Sequence, residues 1–191
     1  MIKTYAMLME ELSNYRAPAN KLARMVRAGE YTPIVRGLYE TDRATPGYLL
    51  AGSIYGPSYL SFDFALSRYG LIPEAVYVFT SATFEKKKKK SYRTPFGTFT
   101  YRDVPADAYP WGIRLVEEGD YRYQMATPEK ALCDKIYTLP PAKNKKELSS
   151  LLFDNLRIDD GEFGKLNCED LKKMCDLYHC KNLVLLKKIL R

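Results

Sequence analysis

A chain of 191 residues with 46% apolar side chains can bury a full core, which excludes global disorder. Lysine and arginine outnumber the acids 30 to 23, and the resulting charge of +7 favours an anionic partner, either nucleic acid or an acidic protein. No window approaches the ~20 apolar residues of a membrane helix, and Met1-Ile2-Lys3-Thr4-Tyr5 opens an amphipathic segment, so the expectation is a cytoplasmic protein with no secretory leader and no membrane partner.

Residues 2–13 predict a helix with Tyr5, Leu8, Met9 and Leu12 on one face. Residues 14–18 break it, and Pro18 suits the first position of a second helix running to Ala28. In that helix Leu22, Met25 and Val26 fall at i, i+3 and i+4 and face inward, while Lys21, Arg24 and Arg27 lie on the other side. Gly29 supplies the helix stop, where a positive φ needs no Cβ. A small hairpin follows over residues 31–41, with Arg36-Gly37-Leu38-Tyr39 at its turn. A basic helix followed at once by a basic hairpin has the shape of a recognition helix and its wing, which sets cations where duplex phosphates lie. The plainer alternative is a solvated helix face beside an ordinary hairpin. Thr45-Pro46-Gly47 reads as a linker, dividing the chain into a module at 1–45 and a domain at 46–191.

In the second part, residues 48–55 begin a helix and Gly56-Pro57 punctuates it. Ser58 is read as the cap of a helix over SYLSFDFALSRYG that stops at Gly70. Residues 75–81, AVYVFTS, form a β-branched and aromatic strand. Two hairpins follow: SYRT with TFTYRDV around Pro95-Phe96-Gly97, and IRLVE with DYRYQMA around Glu118-Gly119. Thr127-Pro128-Glu129 starts a helix with a capping hydroxyl, a proline at the first position and an acid at the positive end of the dipole. Three further helical segments cover 145–156, 168–179 and 182–190. The expected fold is α+β: a small, reduced winged-helix module, then an antiparallel sheet flanked by helices.

Lys86, Lys87, Lys88, Lys89 and Lys90 form an unbroken run. It is either an auxiliary clamp on a phosphate backbone or a charged loop that blunts a sheet edge. Gly52-Ser53 with Asp63 superficially resembles the opening of a nucleotidyltransferase motif, but position 65, where a second carboxylate is needed, is Ala65. Asp63 with Glu85-Lys86-Lys87 sketches a metal-dependent nuclease, although Glu85 falls past the end of the strand. Cys175, His179 and Cys180 lie near each other in a chain with four cysteines and no CxxC pair, so reduced thiols are expected rather than zinc. The helix from Thr127 is read as a packing helix whose Glu129, Lys130, Asp134 and Lys135 form ion pairs in solvent. The single histidine has no identified partner for nucleophilic catalysis, and no catalytic residue, cofactor or metal is assigned.

Taken together, KLARMVRAGEYTPIVRGLYETD, YGPSYLSFDFALSRYGLIPE, VYVFTS, TPFGTFTY and MATPEKALCDKIY resemble, in that order over residues 20–140, the AbiEi family of antitoxins. The resemblance implies an N-terminal winged helix that binds operator DNA and represses its own operon. It also implies a second domain that supports cooperative binding and antitoxin action. The functional partner would be a nucleotidyltransferase-like toxin, countered without a stable complex. Residues 19–28 correspond to the recognition helix and Arg36-Gly37-Leu38-Tyr39 to the wing. One departure stands out: a full winged helix has three helices before its wing, and residues 1–18 hold only one. The expected DNA contacts are Arg16, Lys21, Arg24, Arg27 and Arg36, with the lysine run as auxiliary. A protein-interaction module without specific DNA binding, and a metal-dependent nuclease, are the alternatives.

Overall fold

The computed structural model describes residues 1–190. The fold is α+β, with a three-stranded antiparallel sheet near the N-terminus and a six-stranded mixed sheet after it. The first part runs β1 (Ile2–Thr4), α1 (Tyr5–Glu11), α2 (Pro18–Arg27), β2 (Thr32–Val35) and β3 (Leu38–Glu40). The sheet order is β1-β3-β2. The expected helix over residues 2–13 is therefore a strand and a shorter helix. Ile2, Lys3 and Thr4 pair with Glu40, Tyr39 and Leu38, and the Thr4 hydroxyl caps α1 by accepting from the Met7 N–H at 3.2 Å. No further helix lies between α1 and α2, where residues 12–17 form turns and bends.

This small sheet is filled from both sides. Leu8, Leu12 and Leu22 make a compact core of their own, with Met25, Val26, Tyr31 and Tyr39 packed against it. On the opposite face, Ile34 and Leu38 belong to the large core of the second part. The alternation of strand side chains produces this split, since Leu38 and Tyr39 must point to opposite faces. The join also carries polar contacts. Glu40, fully buried, accepts from the Thr41 and Asp42 N–H groups at 2.8 and 3.1 Å, and the Thr45 and Tyr121 hydroxyls meet at 3.3 Å.

The second part begins with a 3₁₀ turn at Gly47–Leu50 and continues with α3 (Ala51–Ile54), β4 (Tyr59–Leu60) and α4 (Phe62–Arg68). It goes on through β5 (Val78–Thr83), β6 (Lys90–Thr94), β7 (Gly97–Asp103), β8 (Ile113–Glu118) and β9 (Tyr121–Ala126). Five helices follow: α5 (Pro128–Tyr137), α6 (Lys145–Ser150), α7 (Asp160–Gly164), α8 (Cys168–Asp176) and α9 (Lys181–Ile189). A π-helical turn at Leu151–Asn155 extends α6. Both predicted hairpins form, as β6–β7 and β8–β9.

Two expectations need correction. Ser58 does not cap a helix: Tyr59 and Leu60 form a central strand, and α4 starts only at Phe62. The sheet is mixed rather than antiparallel, because β5 pairs parallel with β7 and β4 parallel with β9 in the order β6-β7-β5-β4-β9-β8. The cause is the connection after β5. It carries the chain past the adjacent sheet position to the edge, and the turn at Pro95-Phe96 returns it as β7 between β6 and β5. Two reversals leave β7 running the same way as β5.

The helix from Thr127 also departs from its expected role. Thr127 caps α5 as read from the sequence, accepting from the Lys130 N–H at 3.3 Å. Lys130 and Asp134, however, are fully buried and 3.1 Å apart. The Lys130 ammonium donates to the Ala108 carbonyl at 2.7 Å and the Tyr178 hydroxyl at 2.6 Å. Asp134 accepts from Tyr178 at 2.5 Å, Tyr59 at 3.0 Å and Ser61 at 2.6 Å. Burial lowers the Lys130 ammonium from its ordinary range, and Asp134 opposes that shift. Burial, then the charge of Asp134, raises the Tyr59 and Tyr178 hydroxyls well above theirs, so both stay protonated as donors. A buried charge left without its partner is strongly destabilising. Asp134→Ala is therefore expected to lower unfolding free energy in urea by about 3–5 kcal/mol, with the double variant Lys130→Met/Asp134→Leu losing less. A cost below about 1 kcal/mol for Asp134→Ala would show that the network does not hold the helix layer to the sheet.

Candidate nucleic-acid interface

α2 sets the geometry of the basic surface. Pro18 occupies its first turn and Gly29, at φ +79°, lies just past its end. Leu22 is buried against α1, and Met25 and Val26 flank it. That packing turns Arg24 and Arg27 outward, and both are exposed. They sit in the last turn, where the helix dipole favours cations. Lys21, half-buried, lies with its ammonium 5.2 Å from the Tyr15 ring centre. Arg16, exposed, is in the turn that leads into α2.

The hairpin presents the fifth cation. Arg36 is exposed at the β2–β3 turn, and Gly37 beside it has φ +81°, a conformation that a side chain would disfavour. The Gly37 carbonyl accepts from the Tyr5 N–H at 2.8 Å, which ties the hairpin tip to the start of α1. Among the described residues, none of Arg16, Lys21, Arg24, Arg27 and Arg36 forms an ion pair, whereas Lys3 in the same module is paired with Glu11 at 2.6 Å. The exposed Arg16, Arg24, Arg27 and Arg36 are therefore available to an anion without breaking an ion pair, whereas Lys21 also rests on the Tyr15 ring.

The lysine run belongs to a different element, the β5–β6 connection. Lys86 donates to the Gly56 carbonyl at 3.2 Å and lies 5.4 Å from the Tyr55 ring centre. The Lys87 N–H donates to Asp103 at 2.6 Å. Glu85 and Lys87 both have positive φ, so the connection is a shaped turn and not an extended tether. Lys87, Lys88 and Lys89 are exposed, and Lys90 opens β6, which runs beside β2 of the hairpin.

The residues weighed for other chemistry are dispersed. Asp63 pairs with Lys135 at 2.6 Å in a cleft of about 180 Å³, Ala65 is buried, and Glu85 lies in the β5–β6 connection. Cys175 is buried beside Cys133, whose thiol burial pushes up, whereas exposed His179 faces Asp107 at 3.6 Å. Among the described residues no three His, Cys, Asp or Glu side chains are grouped to hold a metal ion. No described helix is long and apolar enough to cross a membrane. Sequence reading passed over Arg102 and its surroundings on β7. The signal was present in TFTYRD, where buried Phe99 and Tyr101 alternate with half-exposed Thr98, Thr100 and Arg102.

No protein-family model matches the chain, and no curated protein matches it significantly. A solved structure with the same overall fold is that of the Rv2827c protein from Mycobacterium tuberculosis, at a TM-score of 0.58 and 15% identity. The similarity covers 92% of this chain and 66% of the other, so the chain spans just under two thirds of that protein's length. At this identity the likeness is one of fold alone.

Removing two of the α2 cations tests the surface directly. Arg24→Ala with Arg27→Ala is expected to weaken binding to duplex DNA and to reduce the slope of log affinity against log salt by about one per lost phosphate contact. A salt titration by fluorescence anisotropy reads both quantities. An unchanged slope would remove α2 from the interface.

Proposed function

We propose that the protein is a DNA-binding antitoxin of the AbiEi type, which represses its own operon in the cytoplasm and counters a nucleotidyltransferase-like toxin. The observation that carries this reading is the row of unpaired cations on α2 and the hairpin: Arg24 and Arg27 outward on the helix, Arg36 at the tip. The order β1-α1-α2-β2-β3 supports a winged helix reduced by one helix. In it α1 and α2 take the helix-turn-helix positions, β2 and β3 form the wing, and β1 is the third strand. The missing helix is compensated by the second domain, whose core receives Ile34 and Leu38 on the side away from α1 and α2. Arg16, Lys21, Arg24, Arg27 and Arg36 contact phosphates or groove edges, and the lysine run adds phosphate contacts through its neighbouring strand.

A second reading, a protein-interaction module, is favoured by one observation. Trp111 is 59% exposed and lines a groove of about 350 Å³ with Met174 and Leu177. An exposed aromatic over an apolar groove suits a protein partner. The two readings separate in cells. A reporter driven by the sequence upstream of the gene is expected to be repressed by the wild-type chain and released by Arg24→Ala/Arg27→Ala, with Trp111→Ala still repressing. Equal reporter output with and without the wild-type chain would leave only the interaction-module reading.

A further inference from the structure

One face of β7 lacks a counterpart in the DNA reading. Phe99 and Tyr101 point into the core, so Thr98, Thr100 and Arg102 occupy the opposite face and are half-exposed. The pairing sets Ser91 of β6 opposite Thr100 and Arg93 opposite Thr98, and on the other flank Thr80 of β5 lies beside Thr100. Two depressions open here. One, of about 180 Å³, is lined by Asp63, Thr80, Lys135 and Thr138 together with Thr100 and Arg102. The other, of about 320 Å³, is lined by Lys89, Lys90 and Ser91 and again by Thr100 and Arg102. The shared pair makes them one continuous groove.

Its charge is uneven. At one end Asp63 neutralises Lys135 at 2.6 Å. In the middle and at the other end, Arg102 and Lys89 form no ion pair among the described residues, while Lys90, paired in register with Tyr101, leaves on the opposite face of the sheet. A guanidinium fork matches phosphate oxygens two at a time, and lysines act as mobile point charges. The Thr100 and Ser91 hydroxyls line the same depression, opposite each other in the sheet, and can donate to phosphate oxygens bound there. The aromatic rings among the lining residues, Tyr101 and Phe62, are buried in the core and offer no stacking platform for a base. Recognition therefore falls on phosphates. The larger depression, at about 320 Å³, is on the scale of a small-molecule site.

We propose that this groove binds a small molecule carrying a run of consecutive phosphates, with Arg102 on a central phosphate and Lys89 on a terminal one. The site is separate from α2 and does not depend on the DNA reading, although it shares Lys89 with the lysine run given an auxiliary part there.

The test is isothermal titration calorimetry of the full chain with inorganic tripolyphosphate, with adenosine triphosphate as a second probe. Saturable binding of tripolyphosphate at one site is expected, weakened at least about tenfold by Arg102→Gln and unchanged by Arg24→Ala/Arg27→Ala, since a hydrogen bond to a charged group is of that order. Equal affinities for the two probes would place recognition on the phosphates alone, and tighter binding of the nucleotide would add a sugar or base contact to the same site. Should Arg102→Gln lose its cooperative thermal transition, Ser91→Ala/Thr100→Val serves instead, with a several-fold loss expected from two hydroxyl contacts. Undiminished affinity in the folded variant overturns the proposal. So does equally tight binding of hexaglutamate, which would mark the groove as a diffuse cationic surface.

Discussion

A lysine and an aspartate one turn apart on α5, neither reached by solvent, fix the relation between the helices and the sheet. A buried ion pair is tolerated only when its remaining donors and acceptors are satisfied. Satisfying this one draws in Tyr59 from the central strand β4, Ser61 at the start of α4, the Ala108 carbonyl before β8, and Tyr178 after α8. Four separate stretches of chain, residues 59–61, 108, 130–134 and 178, meet at two charges. The arrangement fixes position more than it adds stability, because an apolar replacement of the whole set would also pack. The two central residues of the sheet, Tyr59 and Leu60, are thereby held although their strand is short.

The basic module depends on that frame at one remove. A helix pair and a three-stranded sheet of this size have little core of their own, here Leu8, Leu12 and Leu22. Small units of this kind rarely stand alone. The hairpin solves the problem by using both faces, Tyr31 and Tyr39 toward the helices and Ile34 and Leu38 toward the large core. Arg36 is thus carried on a turn anchored from three directions: its partner strand, the large core, and the Tyr5 N–H on the Gly37 carbonyl. The backbone that carries Arg36 is ordered in advance, and only its side chain has rotamer freedom left to lose on meeting an anion.

Legibility in the sequence followed the range of the interactions. Local signals read well: Pro18 and Gly29 around α2, the outward Arg24 and Arg27, the Pro95-Phe96 turn, and the Thr127-Pro128 start of α5 all rest on contacts within a few residues. β1 is not legible because three residues show no period, and their partners Glu40, Tyr39 and Leu38 lie 38, 36 and 34 positions away. Tyr59 and Leu60 sit in an apolar run that suits strand and helix equally, and only pairing with Ala82 and Met125 decides between them. The parallel pairs follow from a crossover that no local pattern encodes. Lys130 and Asp134 carry the i, i+4 spacing of a surface pair, and nothing near them in sequence announces Tyr59 and Tyr178. Arg24 and Arg27 of the candidate interface were legible because helical period alone puts them outward. The outward side of Arg102 was legible in the alternation of TFTYRD, but its place in a groove was not, since that comes from neighbours on β5, β6 and α5.

The central claim is that α2 and the hairpin recognise DNA, and binding of the purified chain to a duplex from immediately upstream of its own gene tests it most directly. A scrambled duplex of the same composition is the control, with anisotropy read at two salt concentrations. Tight binding to the upstream duplex that survives the higher salt, with weak binding to the control, is the predicted result. Equal binding to both duplexes, lost together as salt rises, would contradict it and reduce the +7 charge to a non-specific attraction.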